Sequence, residues 1–90
     1  MLAKIHTRYR LIVEQLGLRQ LDVYRVKERG VDVDILRLYD PATGKVVVVN
    51  LGTVRESLDY KSFLDRILRS LEEAGIRVSE KRLSRLLERL

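Results

Sequence analysis

Two aspartates two positions apart, Asp32 and Asp34, are the side chains of this sequence best suited to binding a metal ion. In an extended strand their carboxylates lie on the same face, and with a third acidic ligand they could hold Mg²⁺. We favour the alternative that both form the polar face of an edge strand. His6 is the one histidine and the sequence has no cysteine, which argues against a catalytic triad, a thiolate nucleophile or a zinc site. We therefore expect a non-enzymatic protein without a metal or cofactor.

Basic side chains towards the end of the sequence point to a different chemistry. In the segment AGIRVSEKRLSRLLERL, residues 74–90, Arg82, Arg85 and Arg89 are three and four residues apart, so they form one row on a helix. Arginine can read guanine bidentately, and lysine can hold phosphate. We expect this helix and the basic first helix to bind nucleic acid, with DNA favoured over RNA. The candidate contact residues are Lys81, Arg82, Arg85, Arg89, Arg8 and Arg10.

The same segment resembles the helix-turn-helix of some transposases and arginine-repressor-type regulators. Those families place a helix before a Gly-apolar-x-apolar-Ser turn, which leads into a recognition helix with an apolar-Ser-Arg core. The residues at these positions are Gly75, Ile76, Val78, Ser79, Leu83, Ser84 and Arg85. A glycine that ends one helix and a serine that caps the next fit such a turn on physical grounds too. The resemblance implies that the first turns of the last helix meet base edges.

Leucines on the last helix support an alternative function. We expect them to pack inward on the domain, but the same spacing would let them pair with a second copy, as in a homodimer or an accessory subunit of a larger complex. They are Leu83, Leu86, Leu87 and Leu90. A third hypothesis is binding of structured RNA by basic residues from both ends, with Tyr9 and Tyr24 stacking on bases. Tyrosines at such positions are more often half-buried in the core.

Length, charge and hydropathy indicate the class of protein that carries these sites. Ninety residues predict a single domain over 1–90. Of the net charge of +5, residues 1–30 and 53–90 carry the surplus and residues 31–52 are slightly acidic. A basic surface suits nucleic acid because each neutralised phosphate releases counterions. The abundance of charged residues is typical of thermophile proteins. No apolar run approaches the roughly 20 residues of a membrane span, and the first residues do not resemble a signal peptide, so we expect a cytoplasmic protein.

Hydrophobic periodicity predicts the elements that position these residues. A helix is expected over 2–16, with Leu2, Ile5, Tyr9 and Ile12 on its apolar face, and strands follow over 21–30, 31–40 and 45–52. Four consecutive valines suggest that the third strand is buried on both faces and central. Helices are expected over 57–74 and after Ser79, which can cap the last one. The fold class is therefore α+β, with a helix, a three-stranded antiparallel meander and two helices, and with residues 76–78 as either a turn or a short fourth strand.

This order of elements resembles the PD-(D/E)XK nuclease fold, which includes the Holliday-junction resolvases. The metal-binding aspartate of that family would correspond to Asp34, and a glutamate on its first helix to Glu14. Asn50 stands where the family has its second acid, and Gly52 where it has a lysine. The resemblance thus implies a nuclease fold whose active site has eroded, since both a metal ligand and a charge stabiliser are missing. The order of elements also fits a double-stranded RNA-binding domain, although the lysine-rich start of that family's second helix is missing.

Overall fold

The chain folds as the α+β arrangement expected from its periodicity. A computed structural model describes residues 2–90, with side chains from Thr7 onward. The elements are α1 (Leu2–Gln15), β1 (Arg19–Glu28), β2 (Val31–Asp40), β3 (Lys45–Asn50), a single 3₁₀ turn (Arg55–Ser57), α2 (Tyr60–Glu73) and α3 (Glu80–Arg89). The side chains of Leu2, Ile5 and His6 lie outside the described part. Within residues 2–90, no helix has the length and apolar character needed to cross a bilayer.

The three strands form an antiparallel sheet in the order β1-β2-β3. The register pairs Val23 with Leu36 and Leu36 with Val49, which places these side chains on one face. The expectation that β3 is central was wrong, because β2 is the central strand and β3 is an edge. Its valines alternate between buried (Val47 and Val49) and exposed positions, since only one face of the sheet faces the core.

The core lies between that face of the sheet and the helices. In the part of α1 with described side chains, the buried residues are Tyr9, Ile12 and Val13, and Leu16 is buried just after the helix ends. The buried side chains of α2 are Phe63, Leu64, Ile67 and Leu71. Tyr9 packs edge-on against Tyr60 and Phe63, with ring centroids 5.2 and 4.8 Å away. Its hydroxyl donates a 2.7 Å hydrogen bond to the carbonyl of Leu58, and burial raises the pKa of Tyr9. This bond ties α1 to the segment that enters α2.

Helix α2 begins later than predicted, because a 3₁₀ turn occupies 55–57. The Asp59 carboxylate accepts a 2.7 Å bond from the Ser62 amide and caps the helix. At the other end Gly75 has φ +75°, and Lys45 Nζ donates a 3.1 Å bond to the Ala74 carbonyl. Residues 76–78 form an irregular connection rather than a fourth strand. Ser79 is at the N-cap position of α3, but its side chain makes no capping bond.

Helix α3 packs against α1 through fewer leucines than expected. Leu86 is buried and Leu83 packs half-buried at the edge of the core. Leu87 and Leu90 are exposed, so the prediction that all four leucines pack inward was wrong for these two. The covered side of α3 is therefore the one that faces α1 and the core.

Candidate functional site

A groove runs between α1 and α3, and arginines line it. It consists of two adjoining hollows of about 160 and 190 Å³ that share Gln15, Leu86 and Arg89. The basic lining residues are Arg8, Arg82, Arg85 and Arg89, and the others are Leu11, Ile12, Gln15, Tyr60, Leu86 and Leu90. No acidic side chain is among them. We call this feature the α1/α3 groove.

The positions of the arginines follow from the helix geometry. Arg82, Arg85 and Arg89 are three and four residues apart, so they lie on one side of α3, and that side borders α1. Gly17, just after α1, leaves room for Arg82 because it has no Cβ: a Cβ at this position would overlap the Arg82 guanidinium. Gly17 also has φ +86°, a conformation that favours glycine. Arg8 comes from α1 and lies over the Tyr60 ring, 5.9 Å from its centroid. Arg8 and Arg82, which are 74 positions apart in the sequence, thus line the same groove.

These four arginines are among the described basic residues that have no acidic partner. Among the side chains of residues 7–90, none of the four forms an ion pair. By contrast, Arg37 pairs with Asp22, and Arg69 lies 3.4 Å from Asp65. An unpaired guanidinium keeps all its donors available, and no acidic side chain among the described lining residues cancels its field locally.

Two of the predicted contact residues are outside this groove. Lys81 is exposed on α3 but does not line it. Arg10 is exposed on α1, and its Nε lies 3.6 Å from a Glu14 carboxylate oxygen. The structure therefore brings together Arg8, Arg82, Arg85 and Arg89 and leaves these two apart.

The candidate metal position holds an internal ion-pair cluster instead. Asp34 is on the central strand with its side chain 1% exposed, so the preferred interpretation of an exposed polar face was wrong for it. Its carboxylate accepts bonds from Arg25 Nε (2.8 Å) and from the side-chain Nε and backbone amide of Arg55 (both 2.9 Å). Arg25 also pairs with Glu56 at 2.8 Å. We call these four residues the Asp34 cluster.

The electrostatics of this cluster fit an ionised aspartate. Burial by itself would raise the pKa of Asp34, but the hydrogen bonds from Arg25 and Arg55 outweigh it and lower the pKa to about 2. Asp32 lies apart from the cluster, with Lys27 Nζ 3.9 Å from its carboxylate. No set of three metal-ligating side chains occurs within the described part of the chain.

The partners of Asp34 could not be predicted from the sequence. Arg25 is its cross-strand neighbour in the β1–β2 register, and Arg55 comes from the turn after β3. The residue at the family's second acidic position, Asn50, donates to Glu28 at 3.2 Å and accepts from the Gly52 amide at 2.8 Å. Its amide therefore closes a turn at the end of β3.

The tyrosines of the RNA hypothesis have separate environments. Tyr9 is buried, and its ring contacts two other aromatic rings, so no base can stack on it without opening the core. Tyr24 is exposed on the face of the sheet opposite the helices.

Comparisons with protein-family models, with curated proteins and with solved structures find no match to this chain.

Proposed function

We propose that the protein is a non-enzymatic nucleic-acid-binding protein, with DNA favoured over RNA, and that the α1/α3 groove contacts the phosphate backbone. The observation that carries this proposal is the set of four arginines in one groove, without an acidic side chain in its lining and without ion pairs among the described side chains. Guanidinium groups bind phosphate oxygens bidentately, and each phosphate contact releases counterions.

The arrangement favours backbone contact over base reading. Arg82, Arg85 and Arg89 lie along the groove rather than on the side of α3 opposite α1. Phosphate contacts fix the register of a protein on a duplex but carry no sequence information directly. We therefore expect binding that depends steeply on salt and weakly on sequence. The eroded-nuclease resemblance is compatible with such a role, since Asp34 would be a structural residue.

The experiment is a fluorescence anisotropy titration of a labelled DNA duplex at several salt concentrations. Arg82→Ala/Arg85→Ala removes two groove arginines, and Arg19→Ala/Arg77→Ala is the matched control. Arg19 and Arg77 are exposed, have no ion pair among the described side chains and lie outside the groove. Both variants lower the net charge by the same amount.

We expect the groove variant to weaken binding and to reduce the slope of log K against log salt by about 2, roughly one for each lost phosphate contact. The control keeps the wild-type slope. Equal losses in both variants would show that only net charge matters, and no binding at about 50 mM salt would contradict the proposal. A duplex RNA competitor of the same length tests the preference for DNA.

An accessory subunit that acts through a protein interface is the second candidate. The observation that favours it is the exposure of Leu87 and Leu90 on the last helix. Leu86 and Leu83 pack on the core of their own chain, so they contribute less to such an interface. A concentration-dependent oligomer lost in Leu87→Ser/Leu90→Ser, together with no salt-sensitive nucleic-acid binding, would favour this candidate.

A further inference from the structure

The outer edge of β3 presents unpaired backbone groups. The Leu51 amide donates to the Asp34 carbonyl at 3.0 Å, and hydrogen-bonded pairs alternate along an antiparallel ladder. Val47 and Val49 therefore exchange hydrogen bonds with β2. The N–H and C=O groups of Val46, Val48 and Asn50 point away from β2, and no described residue pairs with them.

The two edges of the sheet differ in how they are protected. Edge strands of soluble proteins are usually guarded by charges, prolines or bulges, because a bare edge pairs with other strands. β1 has a bulge between Gln20 and Asp22 and five charged residues among its ten. β3 has neither a bulge nor a proline, and four valines form its middle. Val46 and Val48 are exposed beside this edge.

An open groove of about 580 Å³ lies beside the β3 edge and is flanked by α2. Its lining residues are Val48, Asn50, Ser62, Asp65, Arg66, Arg69, Ser70 and Glu73. Two acidic and two basic side chains balance, in contrast to the α1/α3 groove. Asp65 and Arg69 are already paired, and Arg66 donates to the Leu51 carbonyl. A polyanion gains nothing from this neutral surface, whereas a protein strand that supplies backbone partners and apolar side chains fits it.

We infer that β3 pairs antiparallel with β3 of a second copy of this chain about a two-fold axis, which joins two sheets into one of six strands. In the register that uses all the outward groups, Val48 lies opposite Val48 of the second copy and Val46 opposite its Asn50. The same edge, without a bulge or a proline, is present on both copies, and the neutral α2 flank brings no net charge repulsion. Closed symmetry of this kind satisfies both edges at once.

This inference is independent of the proposed nucleic-acid contact. The groove beside β3 and the α1/α3 groove share no lining residue. A variant at the β3 edge therefore tests the dimer without touching the arginines.

The test is sedimentation velocity on the full chain over a range of concentrations, with Val48→Lys, Val48→Glu and an equimolar mixture of the two. Like charges directly opposite each other in a sheet repel, and opposite charges attract. Matched controls are Val31→Lys and Val31→Glu, since Val31 is 56% exposed and Val48 57%, but Val31 pairs with Glu28 of β1 and has no partner on β3. Thermal melting followed by circular dichroism verifies that each variant folds.

We expect the wild type and both Val31 variants to dimerise. Each Val48 variant alone dimerises about fivefold more weakly, and the Lys/Glu mixture recovers the dimer. A wild-type monomer at every soluble concentration would overturn the inference. So would a dimer that both Val48 variants leave intact, or a mixture that fails to recover.

Discussion

Removing the charge of Asp34 is the sharpest perturbation of the fold. In Asp34→Asn the side chain keeps its shape, but the bonds from Arg25 and Arg55 lose their carboxylate. Arg55 is only 11% exposed, so its guanidinium would stay in a poorly solvated place without a counter-charge. Arg25 is 41% exposed and keeps Glu56, so it can adapt.

The size of the effect follows from this asymmetry. Breaking a buried ion pair by removing one partner costs about 3–5 kcal/mol. Because one of the two arginines can adapt, we expect the lower end, about 3 kcal/mol of unfolding free energy. For a domain of this length each kcal/mol shifts the midpoint temperature by about 4–8 °C, so the loss is about 12–24 °C.

The assay is urea denaturation followed by circular dichroism at neutral pH, since the midpoint reports stability when the slope is unchanged. Asp32→Asn is the matched control, because Asp32 is 51% exposed and its ion pair with Lys27 is long, 3.9 Å. The control should stay within about 0.5 kcal/mol of the wild type. If the free energy of unfolding of Asp34→Asn is also within about 0.5 kcal/mol of the wild type, the Asp34 cluster does not stabilise the fold as its geometry indicates.

Three further predictions concern acid, the Tyr9 hydroxyl and the last helix. Folding lowers the pKa of Asp34 from 3.8 to about 2, so its charge contributes about 2 kcal/mol to the free energy of unfolding above pH 4, and this contribution is lost as the pH falls towards 2. Urea midpoints across this range should therefore fall more in the wild type than in Asp34→Asn. Parallel curves would contradict the assignment. Tyr9→Phe keeps the ring contacts but leaves the Leu58 carbonyl unpaired, so denaturation should show a loss of about 1–3 kcal/mol, and an unchanged midpoint would mean that water replaces the hydroxyl. Leu86→Ala should cost about 2–5 kcal/mol and Leu87→Ala less than about 0.5, and similar losses for both would refute the placement of α3.

Local sequence patterns were sufficient for the order of the elements. The three- and four-residue spacing of Tyr9, Ile12 and Leu16 identifies α1, and the spacing of Phe63, Ile67 and Leu71 identifies α2. These side chains are buried where the periodicity places them. The row of arginines on α3 could be predicted for the same reason, since it depends only on the helical repeat.

Features that depend on contacts between distant segments could not be predicted from the sequence. Consecutive valines are compatible with a central or an edge strand, and only the position of β2 between its neighbours makes β3 an edge. The Asp34 cluster depends on the β1–β2 register and on a turn 21 residues further along. Arg8 joins the arginines of α3 only because α1 and α3 pack together. Leu87 is exposed because no other element covers that side of α3.

The central claim, that the α1/α3 groove binds nucleic acid, can be tested by observing the arginines themselves. Side-chain Nε–H signals in nitrogen-15 correlation spectra, assigned by single substitutions, are followed while unlabelled duplex DNA is added at low salt. We expect the signals of Arg8, Arg82, Arg85 and Arg89 to shift together, while those of Arg19 and Arg77 stay in place. Shifts confined to other arginines, or none at all, would contradict it.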